Sequence, residues 1–233
     1  MLYWYENIRG DFMRKYVSVL MLMVFYCVVF NSDIEASDIK KYKRTMYGVV
    51  SYSSIEITNS RPDKVLIDFK SQDEQSVYTN DKDYNVFEWI YRKEKENTKL
   101  KAVRKDNIIE VVGRFKGIEI SKEIKIDNAP WYQSAGTAFS ECIKSGDKYK
   151  EFWFLNTNNL EHNKMFIKKE LEEKIIVNDK DEYAVKVKFS LTGYKSMFWS
   201  AYYWFRKSDS VMLKYQGNKG PGTPIMVLEL EEE

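Results

Sequence analysis

The 233-residue chain is poor in the residues that do most metal and nucleophile chemistry: two cysteines and one histidine. Cys27 lies in an apolar N-terminal run, which leaves Cys142 alone in the remainder and excludes an internal disulfide there. A zinc site normally draws on several His and Cys ligands, and beyond that run only Cys142 and His162 are available, so neither a metal nor a cofactor is expected. Glycine (10) and proline (4) are also scarce. The one Gly-rich stretch, "GNKGPG" (217–222), does not sit between a strand and a helix and has no Lys-Ser/Thr end, which argues against phosphate cradling. No serine has the G-x-S-x-G surroundings of a hydrolase nucleophile. Net charge is only +2, with lysines scattered among Glu and Asp rather than gathered into a stripe, so a nucleic-acid partner is not expected.

The remaining candidates for chemistry each have a plainer explanation. His162, in "NLEHNK", could serve as a base, but a solvated loop histidine is the expectation. Cys142 could be a nucleophile or redox thiol, yet no histidine lies near it in sequence, and a small apolar residue on a helix face accounts for it. "NDKDEY" (178–183) groups Asn178, Asp179, Asp181 and Glu182. It lacks the further spaced carboxylates and glycine of a common calcium loop and reads as a hairpin turn. Glu172 and Glu173 point to opposite faces of a strand and cannot flank one substrate bond. No catalytic residue is assigned, and the chain is read as a non-enzyme.

What the chain has in quantity is aromatic residues, 15%, and alternating patterns. Arg14 and Lys15 precede an uncharged run, Tyr16 to Phe30, followed by the polar "NSDIEAS". About 15 apolar residues is short for a bilayer span and suits a secretory signal cleaved near Ala36 or Ser37, with an uncleaved anchor as the alternative. Residues 1–36 are thus assigned to the signal, 1–12 as an upstream extension, and 37–233 to one β domain. Placement outside the cytoplasm, periplasmic or secreted, follows.

After a charged lead-in, "DIKKYKR", period-two segments dominate: 47–57, 64–70, 85–93, 99–105, 108–115 and 118–126. In the last of these Ile118, Ile120, Lys122, Ile124 and Ile126 share a face that should be buried. A helix is expected over Trp131 to Ile143, ended by Ser145-Gly146 and weakened by Gly136. Strands resume at 151–156, 164–178 (ambiguous with helix) and 182–191, where Tyr183, Val185, Val187 and Phe189 should point inward. They end with 197–206, 211–216 and 224–231.

The closing block "SMFWSAYYWFRKSDSVMLKYQGNKGPGTPIMVLEL", with "APWYQS" and "KIIVNDKDEYAVKV" upstream, resembles a family of exported bacterial proteins of unknown function. Its members resemble the half-barrels of periplasmic lipoprotein carriers. The resemblance implies a curved antiparallel sheet with a helix across its concave side, and it carries no catalytic residues. The charged central region departs from the carriers.

"FWSAYYWF" (198–205) has aromatics on both faces: Phe198, Tyr202 and Trp204 on one, Trp199, Tyr203 and Phe205 on the other. Burying a large aromatic stabilises by ~1.5–3 kcal/mol, so both faces should be covered, the convex one by loops or a partner. Either the rings fill a core or one face lines a pocket. The expectation is a mainly β half-barrel whose concave face binds an apolar or amphipathic molecule such as a lipid. Trp131, Phe139, Trp199, Tyr203 and Phe205 are the expected lining. The alternative is a structural or assembly protein of the envelope, with a filled core and a protein partner. Membrane contact is expected only through the N-terminal segment, if uncleaved.

Overall fold

The computed structural model describes residues 37–61, 63–218 and 224–232. The N-terminal assignments, 1–36 and 1–12, lie outside them, as does Pro221. Eight strands come first: β1 (Ser37–Met46), β2 (Val49–Arg61), β3 (Lys64–Ser71), β4 (Gln75–Asp81), β5 (Val86–Lys93), β6 (Thr98–Lys105), β7 (Ile108–Phe115) and β8 (Ile118–Lys125). Helix α1 (Ala135–Lys144) follows. Six more complete the order: β9 (Tyr149–Leu155), β10 (His162–Val177), β11 (Lys180–Leu191), β12 (Ser200–Arg206), β13 (Met212–Gly217) and β14 (Met226–Glu232).

All fourteen strands form one antiparallel sheet, in the order 8-7-6-5-4-3-2-1-14-13-12-11-10-9. Two meanders are therefore joined where β1 pairs with β14, in the middle of the sheet, and β8 and β9 are the edges. The sheet curls without closing into a barrel. Lysines of the first meander reach the β9–β10 loop instead: Lys116 Nζ donates to Asn158 O (2.7 Å) and Lys122 Nζ to Leu160 O (3.3 Å). Two-residue turns with both residues at positive φ, Tyr47-Gly48, Lys116-Gly117 and Asn178-Asp179, match the strand twist and fix the hairpins they close.

The segment between β8 and α1 straps the start of β5 to the edge strand β9. Trp131 O accepts from Val86 N (2.9 Å) and Trp131 N donates to Asn85 Oδ1 (2.9 Å), while Trp153 N donates to Pro130 O (2.8 Å). Gln133 then bonds both ways with the backbone of Leu155, at 2.8 and 3.0 Å. With these groups committed to strands on either side, the helix starts at Ala135 rather than at Trp131, a correction to the expected span. Its buried face, Ala138, Phe139 and Cys142, packs on the concave side of the second meander, and Lys169 Nζ donates to Ile143 O (3.1 Å) at its C-terminal end.

Other expectations are revised. The charged lead-in is β1, a central strand whose inward anchor is Tyr42, hydrogen-bonded through its hydroxyl to Met212 O (3.2 Å). β4 was not expected, because the buried residues of "QSVYTND" are Ser76, Tyr78 and Asn80 rather than aliphatics. Ile118 is 69% exposed at the open end of edge strand β8, and only Ile124 and Ile126 of its face are buried. Tyr183 is 67% exposed because the long β10–β11 hairpin outruns β12, whose pairing stops at Ala184. His162 opens β10 instead of sitting in the loop, with its ring 5.5 Å from that of Trp153. Phe198 lies outside β12, at the end of a 3-10 turn spanning Gly193–Met197.

Candidate functional site

The aromatic strand answers its own question in two ways. On the convex face Trp204 is buried without any covering layer. Lys186 lays its ammonium 5.3 Å from the Trp204 ring centroid and 4.7 Å from that of Tyr202, and Glu173 Oε1 accepts from Trp204 Nε1 (2.7 Å). Charged side chains thus do the covering expected of loops or a partner. On the concave face Ala201, Tyr203 and Phe205 enter an aromatic cluster centred on Phe139. That ring lies 5.2–5.4 Å from those of Phe152, Phe189 and Tyr203.

Beside this cluster the concave side is not filled. A cavity of about 490 Å³ separates it from the inner face of β2–β4. One wall is Ile55, Ile67, Phe69 and Tyr78; the other is built largely from β10–β14, including Met165, Phe189, Tyr203, Tyr215 and Leu228. The β9–β10 loop contributes Asn156, Thr157, Asn158 and Glu161, and Asn218 follows β13. In an alternating antiparallel sheet those connections all fall at one end, together with the β3–β4 turn carrying Glu74. The cavity is therefore an apolar hollow with a polar rim at one end, within the ~300–1,000 Å³ typical of small-molecule sites.

Of the expected lining, Trp199 and Tyr203 border the hollow. Trp131, Phe139 and Phe205 are fully buried in side-chain packing and are not among the residues that border it. Trp199 is held by an indole hydrogen bond to Asn218 O (2.9 Å) and an edge contact to Phe189, 5.1 Å between centroids. The wall from β2–β4 is not among the expected lining: Ile55, Ile67 and Phe69 lie in the expected strands 47–57 and 64–70, whereas Tyr78 lies in β4, which the sequence did not signal.

Two glycines make room at the site. A Cβ on Gly136 would lie 2.8 Å from Met212 Sδ, so the helix can approach β13 closely there. One on Gly217 would lie 2.5 Å from Ala201 Cβ and would overlap Tyr215 Oη, so Tyr215 can fold back over the strand. Desolvation raises the phenols of Tyr78 and Tyr203, and pushes that of Tyr215 up to about 12, so all three stay protonated as hydrogen-bonding groups. Cys142 is buried in the aromatic cluster and burial pushes its thiol up, as fits a packing residue. Among the described residues no group of three or more His, Cys, Asp or Glu could hold a metal ion.

No family model matches the chain, and no curated protein does. Among solved structures the chain is similar to a β-barrel-like protein of the domain of unknown function DUF1849 from Brucella abortus. The TM-score is 0.61 at 11% identity, over 85% of this chain and 97% of that one. Two others score lower. A putative outer membrane lipoprotein-sorting protein domain from Vibrio parahaemolyticus has TM-score 0.34 at 9% identity, over 84% of each chain. A DUF1329 family protein from Desulfovibrio piger has TM-score 0.25 at 10% identity, over 86% of this chain and 85% of that one. The likeness to the first is one of fold: a curved antiparallel sheet of barrel-like form, with no activity attached.

Proposed function

We propose that this protein is a non-enzymatic binding protein of the bacterial envelope, periplasmic or secreted, formed as one β domain after a cleaved 1–36 segment. Its concave hollow takes an apolar or amphipathic small molecule. The observation that carries this reading is the unfilled space of about 490 Å³ between two apolar walls, in a molecule whose other inward-facing rings are closely packed. A structural protein with a filled core has no need of such a gap, which costs stability through lost dispersion contacts. The polar rim and the protonated phenols of Tyr78, Tyr203 and Tyr215 suit a ligand with an apolar chain and a hydrogen-bonding head.

Titration of the full chain with a fluorescent fatty-acid analogue tests the reading. Saturable binding is expected, weakened about tenfold by Trp199→Ala and further by Leu228→Trp, which fills the hollow. About tenfold corresponds to 1.4 kcal/mol. Absence of binding by the wild type, or equal binding by all three proteins, removes the proposal.

A further inference from the structure

The rim of the hollow is continuous with the most exposed apolar residues among those described. Tyr47 and Met197 are each 77% exposed and Tyr194 is 72% exposed. Val49, Phe198 and Ile225 are also more than half exposed. These six residues lie on or directly beside three connections, β1–β2, β11–β12 and β13–β14, with Val49 opening β2. In sheet order 2-1-14-13-12-11 those connections are consecutive and fall at one end, which is the end of the hollow's polar rim. They are physically joined, since Met46 pairs with Met226 across β1·β14, and the Trp199 indole bonds Asn218 O between the other two. Large apolar residues on successive turn tips forfeit stabilisation in water and mark an interaction surface.

Charge says what kind. The chain carries 35 Asp and Glu, yet none falls in 39–55, 183–208 or 210–228, the three segments that contain these connections. Basic residues do occur there, Lys43 and Arg44 before the first turn and Lys195 within the second, with Lys43 and Lys195 exposed. The carboxylates of this end, Glu74 and Glu161, belong to the rim of the hollow on other connections; in these three segments tyrosines, a phenylalanine and a methionine are interspersed with cations alone, which matches the headgroup region of an anionic bilayer. By contrast, the exposed Ile176 and Tyr183 at the far end sit among Lys174, Asp179, Asp181 and Glu182.

We propose that the mouth end docks on an anionic lipid surface. Tyr47, Tyr194, Met197, Phe198 and Ile225 enter the headgroup layer, so that the hollow opens onto the membrane and exchanges its ligand there. The exchange step rests on the binding reading above; the docking itself does not. Membrane contact is then not confined to the N-terminal segment.

The test uses the full chain with Cys27→Ser and a single introduced cysteine, since Cys142 is buried. Phe198→Cys and Tyr47→Cys report the mouth end, and Ile176→Cys reports the far end, each labelled with an environment-sensitive fluorophore. Vesicles of mixed phosphatidylcholine and phosphatidylglycerol should shift the emission of the first two to the blue and raise it several-fold. The third should stay unchanged, and high salt or Lys195→Glu should reduce the response. An anchor at the N-terminus holds all three proteins at the vesicle equally, so the label position still decides. No shift at 198 and 47, or an equal shift at 176, overturns the proposal, the former result leaving the turns to a protein partner. Loss of fatty-acid binding with docking intact would instead sink the binding reading alone.

Discussion

The two halves of the sheet bury their inner faces with different materials. Beneath β3–β8 the buried set is mostly aliphatic, with Ile67, Leu100, Ile109, Val111 and Ile124 around Trp89. Among the described residues its one close ring pair is Trp89–Tyr91, at 5.3 Å. Beneath β9–β14 and α1 the buried set is richer in rings, among them Tyr132, Phe139, Phe152, Phe189, Tyr203, Phe205 and Tyr215. Branched aliphatics adjust to one another and close their half, whereas flat rigid rings pack well only in particular pairings. The hollow lies where the two materials meet. The lesson is that aromatic richness does two jobs here: it stiffens one wall and leaves a gap at the seam.

Truncating the hub of the ring cluster breaks the contrast most severely. Phe139→Ala should lower stability by ~3–5 kcal/mol in urea denaturation and also blunt fatty-acid binding, because Phe189 and Tyr203 lose their support. Leu100→Ala, in the aliphatic half, should lose ~2–5 kcal/mol while leaving binding of the remaining folded protein near normal. A loss of affinity in the second variant alone would refute the division of labour. Gly217→Ala comes next, at ~1–3 kcal/mol, since the new methyl meets Ala201 and displaces Tyr215 into the hollow. Binding should weaken with it.

Two smaller effects sharpen the comparison. Asp127 accepts from Lys164, the Ala129 amide and the Trp153 indole, tying the strap to the second half; these bonds hold its carboxyl down at about 2, against 3.8 ordinarily. Since the folded value is depressed, its stabilisation is present above about pH 4 and disappears as pH falls through about 2. The group is half exposed, so the gain is no more than about 1 kcal/mol, and Asp127→Asn should flatten the acid limb of the stability profile by that amount. Smallest is Lys186→Ala on the convex face. It should cost ~0.5–1 kcal/mol through lost contact with Tyr202 and Trp204, read as a lower thermal midpoint with binding unchanged.

Sequence patterning made β2, β3 and the strands from β5 onward legible, because Ile, Val and aromatic residues alternate with polar or charged ones there. It failed where inward positions are polar or sparse: β4 shows Ser76, Tyr78 and Asn80, and β1 shows Tyr42 among lysines. The ring-bearing β12 pointed to the right half of the site, and Trp199 and Tyr203 border the hollow. Trp131 and Phe139 follow the same composition rule but serve packing, because their surroundings are set by contacts across the sheet that no local pattern records. The opposite wall, Ile55, Ile67 and Phe69, faces the rings only once the sheet curls, so strand spacing alone could not bring it to the site.

Methionines offer the most direct view of the hollow. Met165, Met212 and Met226 border it, while Met197 stands exposed outside. In protein labelled at the methionine methyls, a bound, unlabelled fatty alcohol should give intermolecular NOEs from its chain protons to Met165, Met212 and Met226 and none to Met197. NOEs to Met197 alone, or no NOEs at a concentration that saturates the fluorescent probe's site, would contradict an apolar ligand seated between the two walls.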